Sequence, residues 1–133
     1  MIVGIGLDIC IIERIKNVLN KYGDKFKSRC FTAAERAKCE LVINEPACYA
    51  KRFAAKEAVS KALGTGIKKG VYWKNIEIIN EKSGKPIVNL YGGAKKTLSS
   101  LIQNNMLPNI LVTITDEKDL AQAYVVIEAV EKK

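Results

Sequence analysis

The chain has 133 residues, 48% of them hydrophobic and 27% charged, which is enough apolar material for one sizeable core. With 22 Lys and Arg against 14 Asp and Glu, its net charge is +8, so we expect an acidic partner: a nucleic acid, a phosphorylated small molecule or an acidic protein. The chain has no histidine, which excludes Ser-His-Asp and Cys-His nucleophiles, His-ligated zinc and histidine general bases.

The amino-terminal half is predicted to be mainly helical after one short strand. Residues 2–7 form an apolar run typical of a buried strand, and apolar residues then recur at helical spacing from Ile11 until Gly23. Thr32 and Glu35 have the spacing of a capping box, which predicts a short helix. Pro46 fits the first turn of a longer, Ala-rich helix that includes residues 49–63.

The carboxy-terminal half is predicted to alternate strands with one helix. Residues 75–80 and 86–91 form a predicted hairpin, and Ala94 to Ile102 have helical spacing that ends before Pro108. Residues 110–115 and 121–130 are typical of two final strands. Because no repeat or linker interrupts the chain, we expect one domain over residues 1–133 with an α+β (mixed α/β) fold.

The four cysteines are widely spaced and form no C-x-x-C motif. The amino terminus has no basic segment ahead of its apolar residues, which is not typical of a secretory signal. No apolar run approaches the roughly 20 residues that cross a bilayer. We therefore expect a cytoplasmic protein without a membrane partner, whose cysteines are buried or inert thiols rather than a zinc cluster or disulfide framework.

Glu57 is the most informative acid, because the long helix that contains it has no cleanly polar side. Its carboxylate should therefore lie beside small and apolar groups, where an acid needs a partner. Two interpretations remain open. Glu57 and Lys61 form an ordinary i,i+4 ion pair, or Glu57 holds a metal or a proton while Arg52, Lys56 and Lys61 face a polyanion.

Asp8 is the second candidate acid, since it follows an apolar strand at the position where side chains commonly enter a site. Its alternative role is to cap the following helix. Together, Asp8 and Glu57 could supply the two carboxylates that Mg²⁺ commonly uses. Neither standard phosphate-binding loop is present, and residues 64–66 (GTG) are either a turn that approaches a phosphate or simply a helix stop.

Three segments together identify a family. Residues 4–9 read GIGLDI, residues 52–66 read RFAAKEAVSKALGTG and residues 84–86 read GKP. With the arginine-bearing first helix, Phe31 to Glu35 and the closing strands, they closely resemble holo-acyl-carrier-protein synthases, the small phosphopantetheinyl transferases, over nearly the whole chain. The resemblance implies the phosphopantetheinyl transferase fold, mainly antiparallel sheet with a long central helix. It fails at Asp116, where many members have histidine, so a histidine contact to substrate phosphate cannot be transferred.

The resemblance also implies an activity: transfer of 4′-phosphopantetheine from coenzyme A to a serine of apo acyl carrier protein, with release of adenosine 3′,5′-bisphosphate, in fatty acid biosynthesis. It implies that Asp8 and Glu57 hold Mg²⁺, that Glu57 and Lys61 are catalytic, and that the serine's base is Glu57 or a water it orients. The implied coenzyme-binding residues are Arg52, Lys61, Gly64, Thr65, Gly66, Lys85 and Pro86.

The same resemblance implies a docking surface for the acidic carrier protein and a quaternary structure. The docking residues would be Arg14, Lys21 and Lys25 on a basic face of the first helix, which the residue pattern alone would assign to solvent. The resemblance further implies a homotrimer with its sites at subunit boundaries.

Two other functions compete with this one. A nucleic-acid-binding module could combine the positive charge with stacking on Tyr22, Phe26, Tyr72 and Trp73, and its binding would be insensitive to changes at Asp8. A catalytically silent homologue is the other, although the acids and Lys61 are intact. We favour the transferase and expect no nucleic-acid partner.

Overall fold

The chain folds into two antiparallel sheets and five helices, and the computed structural model describes residues 1–133. A long strand opens the chain, four helices follow, and the second half alternates strands with one further helix. The elements are β1 (Ile2–Ile11), α1 (Ile12–Tyr22), α2 (Asp24–Cys30), α3 (Ala33–Cys39), α4 (Glu45–Ala62), a 3₁₀ turn (Trp73–Asn75), β2 (Ile76–Asn80), β3 (Pro86–Leu90), α5 (Gly92–Leu101), β4 (Met106–Glu117) and β5 (Leu120–Glu131).

The main sheet has three strands in the order β1-β5-β4, all antiparallel, and β2 pairs with β3 in a separate hairpin. The prediction of an α+β, mainly antiparallel fold with a long central helix is therefore confirmed. Small residues on β5, such as Ala121 and Ala123, are almost completely buried and allow α4 to pack closely on the sheet. Most of α4 is buried, as its lack of a polar side predicts.

Local signals at the helix ends act as predicted. Thr32 and Glu35 form the capping box at the start of α3, with the Thr32 hydroxyl accepting from the Glu35 amide and the Glu35 carboxylate accepting from the Thr32 amide. The Asn44 side chain caps α4 by accepting from the Ala47 amide at 3.2 Å, and Pro46 occupies its first turn. These caps satisfy backbone donors that the helix itself leaves free.

Lys56 is buried in the core rather than facing a polyanion, so that part of the prediction is wrong. Its ammonium lies 2.6 Å from the Glu35 carboxylate, and both side chains are fully inaccessible to solvent. Lys56 also donates to the carbonyls of Trp73 and Ile76, while Glu35 accepts from the amide of Ile78. Burial lowers the pKa of Lys56, and Glu35 opposes that change by favouring the charged form. The pair links α3, α4 and β2.

Two cysteines depart from the expectation of free thiols, because Cys39 and Cys48 form a disulfide with their Cα atoms 5.4 Å apart. Cys39 is the last residue of α3 and Cys48 lies near the start of α4, so the short connection between the two helices brings their cysteines together. Cys10 and Cys30 are free and buried, as expected.

The outer face of the main sheet exposes many large apolar side chains, beside polar ones such as Asn109 and Glu128. On β1 the residues that face α4 are small or polar, whereas the alternate residues are large and apolar, and Ile5 and Ile9 are 64% and 55% exposed. The other large apolar side chains on this outer sheet face are Leu7, Ile11, Leu107, Leu111, Leu120 and Tyr124. None of the helices combines the length and apolar character needed to cross a membrane.

Candidate active site

Two glycines on β1 bring its acid to α4. A β-carbon at Gly4 would collide with the backbone carbonyl of Ala62, and one at Gly6 with that of Ala58. Only glycine therefore allows the strand backbone to lie directly on the helix backbone. This approach places Asp8, two residues further along the same face of β1, beside the carboxy-terminal half of α4.

Lys61 pairs with Asp8 rather than with Glu57. Its ammonium donates to Asp8 Oδ1 and to the carbonyl of Leu7, both at 3.1 Å. The structure contains no Glu57–Lys61 ion pair, and no side chain caps α1. The two structural alternatives considered for these acids, a helical ion pair and a helix cap, are therefore not what the chain adopts.

Glu57 is half-buried beside Asp8, and the pKa of its carboxyl is raised. Burial is the larger cause and the negative charge of Asp8 adds to it, while Lys61 acts in the opposite direction. The chain thus keeps two carboxylates together with a single cation, Lys61, paired to one of them. The three side chains together leave one excess negative charge, which suits a divalent cation.

The donor set favours Mg²⁺ over metals that need a full protein cage. No group of three or more His, Cys, Asp or Glu side chains lies together anywhere in the chain. Mg²⁺ is commonly held by one or two carboxylates, with water and substrate phosphates completing its octahedron. Asp8 and Glu57 fit that requirement.

The acid pair opens onto a mainly apolar cavity of about 540 Å³, which we call the apolar cavity. Asp8 and Glu57 line it together with Arg14 of α1. The remaining lining residues are Ile9, Cys10, Ile11, Ile15, Val18, Phe26, Phe53 and Leu120. A reacting group could therefore meet two acids and one guanidinium in a largely apolar setting.

The three predicted docking residues are exposed but do not share one helix. Arg14 lies on α1 at the apolar cavity, and Lys21 lies near the end of α1 with its ammonium 5.2 Å from the centre of the Tyr22 ring. Lys25 belongs to α2 instead, because Gly23 ends α1 with a φ of 53° and turns the chain. The prediction that all three lie on the first helix is wrong for Lys25.

A second cavity, of about 550 Å³, lies between α4, the β2–β3 hairpin and the end of β4, and we call it the cationic cavity. Arg52 is 6% exposed in its wall, donates to Asn80 Oδ1 at 2.9 Å and to Cys48 Sγ at 3.2 Å, and leaves its Nε without a partner. The other charged residues of the lining are Lys38, Lys51, Lys82, Glu81 and Asp116. The lining is cationic overall, which favours an anion.

Sequence reasoning missed part of this cavity. Lys51 lines it and lies 3.5 Å from Asp116, the residue that replaces the family histidine. Lys38 and Lys82 also contribute, although neither belongs to a recognisable motif. The only signal was the excess of basic residues, which indicates an anionic partner without saying which lysines meet it.

The remaining predicted coenzyme residues are less clustered. Pro86 lines the cationic cavity and Lys85 does not. Gly64, Thr65 and Gly66 line neither cavity, and their amides donate to carbonyls at the end of α4, with Gly64 bonded to Lys61 and the other two to Ser60. In this arrangement the turn ends the helix.

The two cavities share no lining residue and open on different sides of α4. Glu57 follows Arg52 by five residues, which is a rotation of about 140° around a helix. Within one chain, an elongated ligand in the cationic cavity would therefore have to pass around α4 to reach the acid pair.

Comparison with known proteins identifies relatives over almost the full length. The family model described as the 4′-phosphopantetheinyl transferase superfamily matches residues 4–125. The holo-[acyl-carrier-protein] synthase of Rhizobium leguminosarum bv. trifolii is 51% identical over 129 residues, covering 97% of this chain and 96% of the relative. That of Methylorubrum extorquens is 48% identical over 130 residues, covering 98% and 96% respectively.

Solved structures agree with the sequence relatives. The holo-[acyl-carrier-protein] synthase of Neisseria meningitidis superposes with a TM-score of 0.83 at 38% identity, covering 96% of this chain and 99% of that one. The Helicobacter pylori synthase, solved in complex with coenzyme A, has a TM-score of 0.79 at 29% identity, with 93% and 99% covered.

Proposed function

Because the chain belongs to the 4′-phosphopantetheinyl transferase superfamily and, within it, to the holo-[acyl-carrier-protein] synthases, we propose that it transfers 4′-phosphopantetheine from coenzyme A to a serine of an apo acyl carrier protein. The product released is adenosine 3′,5′-bisphosphate, and the reaction serves fatty acid biosynthesis in the cytoplasm. Residues 1–133 act as one transferase domain. The observation that carries the proposal is the Asp8–Glu57 pair, held beside Lys61 at a cavity.

Asp8 and Glu57 would hold Mg²⁺, which fits their excess of negative charge. When bound, the ion offsets the charge that develops on the phosphate oxygens as the phosphorus–oxygen bond breaks. Glu57 has a second role open to it, because a raised pKa makes its carboxylate a stronger base. It would accept the proton of the carrier serine directly, or through a water that it orients.

Lys61 would bind the coenzyme phosphates next to the acids. Its side chain is half exposed, so it can keep its bonds to Asp8 Oδ1 and the Leu7 carbonyl while presenting its third proton to an incoming phosphate oxygen. In the reaction the serine oxygen forms a bond to phosphorus and the bond to the bisphosphate leaving group breaks. Lys61 stabilises the charge on that group as it leaves.

The cationic cavity would hold the nucleotide part of coenzyme A. Arg52 and Lys51 face it from α4, and Pro86 closes it from the β2–β3 hairpin. Arg52 can contribute its free Nε–H, which is buried and has no partner inside the protein. Lys85 and residues 64–66 remain part of the proposed coenzyme site and would reach it through side-chain or loop movement.

We further propose a homotrimer in which each active site combines two subunits. The large apolar side chains exposed on the outer face of the β1-β5-β4 sheet support burial against other copies. The separation of the two cavities by α4 supports the same arrangement. The cationic cavity of one subunit would then meet the acid pair of its neighbour.

Docking of the acidic carrier protein would use Arg14, which lines the apolar cavity, together with the exposed Lys21 and Lys25. We predict that Arg14→Glu raises the KM for the carrier protein at least tenfold, since a like charge then faces the acidic partner, while the KM for coenzyme A changes little. Steady-state kinetics with each substrate varied in turn measure both constants, and Lys133→Glu at the far terminus is the charge-matched control. Equal losses for the two substrates would place docking elsewhere.

The test of the function itself is intact-mass spectrometry of a purified apo acyl carrier protein after incubation with this chain, coenzyme A and Mg²⁺. We expect the carrier serine to gain one phosphopantetheine, and EDTA to prevent the gain. If several carrier proteins gain nothing while the chain is folded, the transferase proposal is wrong and the nucleic-acid or silent-homologue alternatives take its place.

A further inference from the structure

The Cys39–Cys48 disulfide lies in the wall of the cationic cavity. Cys48 lines the cavity and is 6% exposed, whereas Cys39 is completely buried behind it. A reagent that enters the cavity therefore meets Cys48 Sγ first. The same sulfur accepts a hydrogen bond from Arg52 Nη1 at 3.2 Å, so the disulfide contacts the best-buried cation of the cavity.

The disulfide also joins two parts of the cavity wall, the end of α3 and the first turns of α4. Val42 and Asn44 line the cavity from the segment that joins α3 to α4, and Lys51 and Arg52 line it from α4. The disulfide closes this connection into a loop, because it joins two cysteines that are nine residues apart in sequence. It thereby limits how far the segment can move from the helix.

Part of this segment contributes little to holding it in place. Leu41 and Ile43 are almost fully exposed, at 86% and 107%, so they pack on nothing. The charged contacts from Lys27, to Glu40 at 3.7 Å and to Glu45 at 2.8 Å, involve carboxylates that are 47% and 36% exposed. Such solvated ion pairs stabilise a structure only slightly. Val42 packs against the hydrophobic core and Asn44 caps α4, and the disulfide adds a covalent link between the end of α3 and the first turns of α4.

We propose that Cys39–Cys48 is a reversible redox site, reduced by a dithiol that enters the cationic cavity, and that its oxidised form is the one that binds the coenzyme's nucleotide tightly. The inference rests on the proposed function, in which that cavity holds the nucleotide. Thiol–disulfide exchange would then regulate nucleotide binding at this cavity.

The exchange is balanced with a dithiol as the reductant. One thiolate of the dithiol attacks Cys48 Sγ, the Cys39–Cys48 bond breaks, and Cys39 leaves as a thiolate that takes up a proton. The second thiol of the dithiol then attacks its own sulfur in the mixed disulfide and releases Cys48. Two electrons and two protons pass from the dithiol to the protein, and the dithiol leaves as a disulfide. The Arg52 guanidinium stabilises Cys48 as it leaves in the thiolate form.

Thermodynamic linkage requires nucleotide binding and disulfide reduction to affect each other's equilibrium by the same factor. If the freed wall adopts the binding arrangement about one fifth of the time, reduction raises the apparent Kd for the nucleotide about fivefold. Saturating nucleotide must then shift the dithiol equilibrium toward the disulfide by the same factor. Occupation of the cavity also blocks the path to Cys48, so reduction should slow.

The experiment uses adenosine 3′,5′-bisphosphate as the probe, because it carries the nucleotide but no thiol. Isothermal titration calorimetry gives its Kd for the full chain in the oxidised form and after reduction with dithiothreitol, and alkylation with intact-mass analysis counts the thiols. Cys39→Ala removes the cross-link without changing an atom that lines the cavity. Cys30→Ala, at a buried free cysteine outside the cavity, is the matched control.

We expect the reduced chain and Cys39→Ala to bind about fivefold more weakly than the oxidised chain, and Cys39→Ala to be insensitive to dithiothreitol. Cys30→Ala should respond as the unaltered chain does. If oxidised and reduced forms bind equally, or the bisphosphate leaves the rate and extent of reduction unchanged, the redox inference is wrong and the proposed function stands. If neither form binds the bisphosphate, the assignment of the cavity fails and the inference fails with it.

Discussion

At the level of single residues, the environment of Glu57 destabilises the charged form of its carboxyl. Glu57 is half-buried next to Asp8, and both burial and the neighbouring charge raise its pKa, while Lys61 contacts Asp8. A structural acid would be expected to have the opposite environment, with donors that favour its charge. This arrangement is typical of a site that meets its counter-charge only when ligands bind.

We predict that Asp8→Asn and Glu57→Gln each lower Mg²⁺-dependent turnover by about a thousandfold, a typical loss when charge stabilisation is removed from a transition state. The midpoint of urea unfolding should stay the same or rise for Glu57→Gln, because the variant removes a like-charge contact with Asp8. Phosphopantetheine transfer and urea titration measure the two effects, with Glu131→Gln at the exposed end of β5 as the control. Near-normal turnover in both variants would refute the metal assignment.

The buried pair of Lys56 and Glu35 has the opposite character, because every charge in it has a partner. We predict that Lys56→Met lowers the free energy of unfolding by about 3–5 kcal/mol, since it leaves Glu35 buried without its cation. Urea denaturation measures the loss, and Lys16→Met on the exposed side of α1 should change stability by less than about 0.5 kcal/mol. Similar stabilities of the two variants would mean that Lys56 is less important than its burial indicates.

At the level of elements, the contact between β1 and α4 positions the site. We predict that Gly6→Ala lowers the free energy of unfolding by about 2–3 kcal/mol, because the new methyl meets the Ala58 carbonyl and forces strand and helix apart. Turnover should fall as well, since Asp8 moves with the strand. Gly70→Ala is the control: it has open space and a φ of 85°, so it should cost about 1 kcal/mol and leave turnover unchanged. Equal losses in both variants would mean that the close contact is not the cause.

The elements themselves were largely predictable from the sequence, and their limits less so. Capping at Thr32 and Asn44 and the stop at Gly23 are local signals, and local hydrogen bonding determines them. The first strand was predicted to end at Leu7, yet β1 continues to Ile11 because pairing with β5 extends past Asp8. The fourth strand was predicted to begin at Ile110, yet β4 begins at Met106 and includes Pro108, because an edge strand tolerates a missing donor.

What the sequence could not supply are contacts between distant elements. The helix α2 was missed because its seven residues show too short an apolar pattern. Lys56 was considered as a group facing a polyanion, since the sequence does not show that its partner, Glu35, lies beside it from another helix 21 residues earlier. The Cys39–Cys48 bond was not expected, because the spacing of the cysteines does not show that the end of α3 lies beside the start of α4. The Asp8–Glu57 pair came instead from the family resemblance and from the chemistry of acids.

At the level of the whole molecule, the inverted pattern of β1 supports the proposed homotrimer. Its small and polar residues face the helix, and its large apolar residues face outward, with Ile5 64% exposed. In a monomer this pattern would leave much of the sheet's apolar surface in water, at about 25 cal/mol for each Å². Association through that face would bury this surface and would bring different subunits' cavities together.

If each active site combines two subunits, as proposed, two inactive variants should complement each other. Glu57→Gln damages the acid pair and Arg52→Met damages the cationic cavity, so each variant alone should be inactive. In trimers reassembled from equal amounts of both, about a quarter of the subunit boundaries should combine two intact halves, and turnover should recover to about that fraction. Phosphopantetheine transfer after co-refolding measures the recovery, and light scattering confirms the mass.

Adding Ile5→Glu to both chains places charge on the sheet face and should abolish both assembly and recovery. Mixed trimers that stay inactive would mean that each site lies within a single subunit.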